Sequence, residues 1–232
     1  MFIKERGHIQ MDFEITEKQS GFLDSFTLKM IAIISMLADH IGYIFFPQDM
    51  VFRAVGRIAF PIFCFLIIEG FHHTRNHTNY LIRLCIFAII SEIPFDLAFF
   101  GTLMDWGHQN VFLTLAFGLA AIFCLEEMNT KRIYAIPFVL IFAASYFVHC
   151  DYGIGGVLLI CMFYLTRETP WMRFILTALI LYIFYGSFEL YGLIAMVFIT
   201  FYNGKRGPQV KMLFYWFYPV HLLVLYAIAH YL

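Results

Sequence analysis

Basic residues fall in every second gap between the long apolar runs of this chain. Arg75, Lys131, Arg132, Arg167, Arg173, Lys205, Arg206 and Lys211 occupy those gaps, whereas the intervening gaps hold one basic residue, Arg53. Lys and Arg are retained on the cytoplasmic side of a membrane, so the alternation predicts a chain threaded repeatedly through a bilayer. Composition agrees: 62% of the 232 residues are hydrophobic and 13% are charged, against about 25% charged in soluble domains. A net charge of −1 gives no electrostatic footing for nucleic acid.

Backbone groups in lipid must bond within their own segment, which predicts an all-α, polytopic transmembrane helical bundle. Nine runs are read, at 27–47, 51–73, 79–100, 110–126, 133–149, 152–166, 171–186, 188–202 and 211–231, with eight or ten spans as alternatives. Crossing the hydrocarbon core takes roughly 20 residues; the runs at 152–166 and 188–202 are short, which suits re-entrant or enclosed helices. Residues 1–26 are rich in charge and predict a cytoplasmic N-terminal extension without a cleavable signal. Residues 27–232 are expected to form one membrane domain, and a homo-oligomer is left open. The five cysteines are widely spaced and read as apolar packing residues rather than a metal or disulfide framework.

Ionisable groups inside a span cost about 2.5–3.5 kcal/mol each on insertion scales, so their presence needs a reason. Here Asp39 and His40 interrupt the first run, Arg57 and Glu69 the second, and Arg83, Glu92 and Asp96 the third. The alternating direction of the spans sorts them into two levels. Asp39, His40, Arg57, Glu92 and Asp96 fall towards the outer side, joined by Asp105, His108, Asn110, Asp151 and Glu189. Glu69, His72, His73, Arg75 and Arg83 fall towards the inner side.

His40 can exchange a proton near neutral pH and is the candidate general base. Asp39 projects about 100° away from it on a helix, so Glu92 or Asp96 are equal candidates to orient the imidazole. Arg83, set deep in an apolar run, calls for an anion, either a phosphate-bearing cofactor or Glu69. Glu69, His72 and His73 have an i, i+3, i+4 spacing, but no established metal motif surrounds them and no metal is expected. Pro61, Pro94 and Pro219 lie near these polar positions, which favours a cavity over a solid bundle.

The stretches LKMIAIISMLADHIG (28–42), GRIAFPIF (56–63), EGFHHTR (69–75) and SEIPFD (91–96), ordered motifs of a match that spans roughly residues 27–118, resemble the conjugal-transfer TraX family. Beyond them the similarity rests on hydropathy and on Tyr218 to Leu222. The resemblance implies acetylation of an exported pilin-like subunit at the cell membrane, within a wider superfamily of transmembrane acyltransferases. It implies His40 as catalytic base and places Arg75 and Arg83 near acetyl-CoA.

On that reading Asp39, Glu92 and Asp96 join His40 as catalytic candidates. Arg57 joins Arg75 and Arg83 at the cofactor, with Arg57 or Asn110 as oxyanion donor, while Glu69, His108, Asn110 and His221 face the acceptor. The acceptor would be a protein N-terminal amine or a glycan hydroxyl on the outer side. A secondary transporter for a small polar solute, using the same charges as a relay, is the alternative.

Overall fold

The computed structural model describes residues 21–231, and every regular element among them is helical. Helices α1 (Ser25–Phe45), α2 (Met50–Gly56), α3 (Ala59–His72), α4 (His77–Phe100) and α5 (Val111–Met128) are followed by α6 (Ala135–Phe147), α7 (Gly153–Leu165), α8 (Pro170–Tyr185), α9 (Ile194–Thr200) and α10 (Lys211–Tyr231). Short 3-10 segments at Arg132–Tyr134 and Ser187–Leu193 lead into α6 and α9. Each of the nine apolar runs is occupied by helix.

Ser25–Phe45, Met50–His72, Val111–Met128 and Lys211–Tyr231 are long and apolar enough to cross a membrane. Helix α4 has the length, at 24 residues, and carries Arg83, Glu92 and Asp96 within it.

Residues 1–20 of the expected N-terminal extension lie outside the described residues. Its last residues are not loose. Leu23 donates its N–H to the carbonyl of Phe201 and accepts from Asn203 N–H, at 3.0 and 2.8 Å. Asp24 accepts from Thr27 N–H at 2.8 Å and starts α1 two residues before the apolar run suggests. Arg173, read from sequence as a marker of the basic gaps, is inside α8 and buried; it donates to the carbonyls of Thr166 and Arg167. A cation at those carbonyls also suits the negative C-terminal end of α7.

The second run is broken at Arg57 and Ile58. Pro61 explains the position, because a proline ring clashes with the carbonyl four residues earlier, here that of Arg57, and cannot bond to it. The displaced carbonyl packs against Gly192, where an added Cβ would lie 3.0 Å from the oxygen. Pro94 and Pro219 leave α4 and α10 uninterrupted.

Helix α7 rises only about 20 Å over its 13 residues and is enclosed by α3, α5, α6 and α8. Its Val157, Leu159 and Ile160 are fully buried. Helix α6 is the opposite: Ser145 alone is buried, and Ile136, Val139, Leu140 and Phe147 face outward. An exterior of this kind is costly in water, at roughly 25 cal/mol per Å² of apolar surface, and is at home against lipid.

Close approach of α5 and α7 depends on small residues. A Cβ on Gly118 would meet the Ile160 side chain, with Cβ and Cγ2 at 3.0 Å and Cδ1 nearer still. Gly118→Ala is therefore expected to lower stability by about 1–3 kcal/mol through overpacking. Ile160→Val, which deletes the nearest carbon, should reduce that penalty in a double-mutant cycle read by thermal denaturation in detergent.

Candidate functional site

Two cavities enter the bundle from opposite ends. The first opens at the end carrying His108, Asp151 and Glu189 and holds about 1200 Å³ of free space, lined also by Asp39, His40, Arg53 and Arg57. Its walls are aromatic. Phe60 stacks on Tyr152 at 3.5 Å, Tyr185 donates its hydroxyl to the carbonyl of Tyr152 at 2.5 Å, and Phe99 meets the His40 ring edge-on at 5.1 Å.

Adjacent positions on α1 send Asp39 and His40 to different partners. Asp39 lies against Gly56, where no side chain stands in its way. There its carboxylate accepts from Arg57 Nη2 at 2.7 and 2.9 Å and pairs with Arg53 Nη1 at 2.9 Å. Arg57 Nη1 reaches Glu189 Oε1 at 2.5 Å. One guanidinium thus joins α1, the α2–α3 break and the segment before α9.

His40 turns instead to α10, where its Nδ1 lies 2.7 Å from Nε2 of His221; both residues are buried. No carboxylate orients His40 among the described residues. His221, expected to face an acceptor, sits behind His40 and does not line the chamber.

Glu92 and Asp96 do share a helical face, as their spacing requires, but that face is covered by the 101–110 loop. Asp96 accepts from Asp105 N–H at 2.8 Å, and Glu92 accepts from Asn110 Nδ2. The pair anchors the loop at two points, while Phe95, Phe99 and Phe100 are the α4 residues that line His40's chamber. Asn110, fully buried, caps α5 through Phe112 N–H at 3.0 Å and donates to the carbonyl of Ala88 at 2.7 Å. Its side chain is therefore committed to these contacts and absent from the chamber wall. His108 is at the chamber rim, with Nε2 3.1 Å from Asp151 Oδ1.

The second cavity, with about 1260 Å³ of free space counting its open mouth, opens at the other end and is lined by Lys29, Arg83, Arg206, Lys211 and His73, with Glu69 as its carboxylate. Glu69 lies 3.7 Å from Arg167 and 3.9 Å from His73, so it does not serve Arg83. Among the described residues none of Lys29, Arg83, Arg206 and Lys211 makes an ion pair; Arg206 donates to the carbonyl of His73 at 2.8 Å. His72 stacks with Tyr164 instead of joining Glu69 and His73. Arg75 does not line the cavity, and Arg57 belongs to the other one.

Lys29, Arg206 and Lys211 were not singled out by sequence reasoning. Lys29 hides at the head of an apolar run, and the other two read simply as charge markers. Met36, Phe63, Val111 and Tyr218 line both cavities, so the two are separated by a wall of four side chains beside His40.

Removing Arg57 would leave Asp39 and Glu189 short of a counter-charge in a shielded site. Arg57→Leu should cost about 3–5 kcal/mol of stability, read as earlier thermal aggregation, with Arg57→Lys recovering part of it. In the loop, Asp151 is the main cause of an upward-shifted His108 pKa, through its hydrogen bond, against the opposing effect of desolvation. Because the folded-state pKa is the higher one, the contribution is complete below the unfolded value of about 6.5 and is lost as pH rises through the folded value. The denaturation temperature should fall over that window by more in the wild type than in Asp151→Asn.

Comparison with known proteins places this architecture. No solved structure matches the chain. A probable fimbrial assembly protein, FimC of serogroup H1, from Dichelobacter nodosus is 33% identical over 87% of this chain and 93% of its own length. An uncharacterized protein, RP591, from Rickettsia prowazekii (strain Madrid E) is 28% identical over 52% of this chain and 44% of its own. The TraX protein family matches over residues 25–229, which takes in both cavities and every helix from α1 to most of α10, and the chain belongs to that family.

Proposed function

We propose that the protein is a multi-pass acetyltransferase of the cell membrane that moves an acetyl group from cytoplasmic acetyl-CoA to an acceptor on the far side. The observation that carries this reading is the pair of cavities that share the wall residues Met36, Phe63, Val111 and Tyr218 beside His40. Retention of Lys and Arg on the cytoplasmic side assigns the Lys29–Arg83 cavity to the cytoplasm. Its four cations, which make no ion pair among the described residues, suit the phosphates of the donor, and the apolar wall suits a slim thioester arm. Lys29, Arg206 and Lys211 thus join Arg83 as donor-binding residues, in place of Arg57 and Arg75.

In the chamber His40 takes a proton from the acceptor amine or hydroxyl as the nucleophile attacks the thioester carbonyl. The C–S bond breaks as the C–N or C–O bond forms, and the proton held by His40 returns to the departing CoA sulfur. Val111 N–H, the first donor of α5, points at the hydroxyl oxygen of Tyr218, and both residues line the wall. The Tyr218 O–H, whose oxygen accepts from Val111 N–H and whose hydrogen is left to donate, is the wall's candidate donor for the developing oxyanion. The name of the fimbrial relative supports an exported protein subunit as acceptor; the aromatic chamber is equally compatible with a glycan hydroxyl.

His40→Ala is expected to abolish acceptor-dependent CoA release while sparing acetyl-CoA binding. Lys29→Ala and Arg83→Ala should each weaken that binding about tenfold, as loss of one charge-assisted contact of roughly 1.5 kcal/mol implies. Solute counterflow in proteoliposomes lacking any acyl-CoA would instead establish a transporter.

A further inference from the structure

The structure assigns His221 as the positioning residue that fixes the tautomer of His40, leaving Nε2 of His40 as the bare nitrogen in the chamber. The assignment of His40 as base rests on the function proposed above; the tautomer does not.

The chain of contacts has one consistent proton arrangement. His221 Nδ1 lies 2.7 Å from the carbonyl oxygen of Phe217, one turn earlier on α10. A carbonyl can only accept, so this nitrogen carries hydrogen. Nε2 of neutral His221 is then a lone pair, and its 2.7 Å contact with His40 Nδ1 requires the hydrogen to be on Nδ1 of His40. Neutral His40 therefore presents an unprotonated Nε2, for which no protein partner exists among the described hydrogen bonds. Free imidazole side chains prefer the opposite tautomer, which would put a donor where the base is needed.

Nothing else near His40 competes for the role. On its own helix Asp39 is held by Arg53 and Arg57 from α2 and the break that follows it. Glu189 is held by Arg57, and Asp151 faces His108. The remaining ring contacts of His40 are the edge-on ones with Phe99 and Tyr218, at 5.1 and 6.2 Å between ring centres, and no hydrogen bond to Tyr218 is among the described ones.

When His40 accepts a proton on Nε2, the resulting imidazolium keeps its Nδ1–H on His221, which can share the charge by taking that hydrogen. Uptake of a second proton would set two cations 2.7 Å apart near Arg53 and Arg57, so the pair acts as a single-proton unit.

The test combines a spectroscopic and a kinetic reading. ¹⁵N-histidine-labelled protein in lipid nanodiscs should show His40 with hydrogen on Nδ1 and a bare Nε2, the signal being assigned by its loss in His40→Ala. In His221→Leu, which keeps bulk but removes the acceptor, the hydrogen should move to Nε2. Turnover in that variant should fall about 100-fold or more while the KM for acetyl-CoA changes less than about twofold. His221→Gln, whose side-chain oxygen can accept from Nδ1–H, should recover most of the loss.

A wild-type His40 protonated on Nε2 overturns the inference whatever the activity. Equal turnover in the Leu and Gln variants would also overturn it. Retained turnover in His40→Ala, with the tautomer as described, would instead sink only the assignment of His40 as base.

Discussion

Two carboxylates separated by 150 positions, Asp39 and Glu189, converge on the guanidinium of Arg57, and the placement of the site depends on that convergence. A charged group shielded from water is tolerable only when paired and hydrogen-bonded. With both carboxylates held by one cation, α1 must lie against the α2–α3 break, and the 187–193 segment must close over it. Pro61 makes this geometry available by breaking the helix at Arg57. With Asp39 tied down on that side of α1, His40 is left facing α10.

The bundle is polar at two levels and apolar between them, and this asymmetry separates its cavities by chemistry as well as position. One end has cations in excess of carboxylates; the other has carboxylates and cations in close to matched pairs. The intervening wall of Met36, Phe63, Val111 and Tyr218 carries no charged side chain and is apolar enough to resist ions. A carrier would need to rearrange such a wall in order to expose one site alternately to both sides. A transferase needs only to present a carbonyl at it.

Much of the architecture is legible in the sequence because hydropathy and charge bias are local signals. All nine runs became helix, with ends within a few residues, and the short run at 152–166 became the enclosed helix its length suggests. The polar level containing His40 was legible too, since helix direction follows from counting runs. The partners were not. A spacing of four told that Glu92 and Asp96 share a face, but not that the 101–110 loop covers it. Likewise His221 is 181 positions from His40, and no local pattern links them. Nothing local to Arg57 announces its ion pair with Glu189, because that carboxylate comes from a segment whose packing the sequence does not reveal.

Pairing the proposed base with an imidazole rather than a carboxylate has a physical logic in this setting. A carboxylate behind His40 would bring a permanent charge into a shielded site that already contains Asp39 and Glu189, and lipid-embedded charge is costly. It would also hold the imidazolium tightly and slow return of the proton to the leaving sulfur. His221 is neutral until His40 is protonated, and its own Nδ1–H is spent on a backbone carbonyl one turn away on α10. The orienting group thus draws its own orientation from the helix backbone, so that nothing in the relay is charged before the reaction begins.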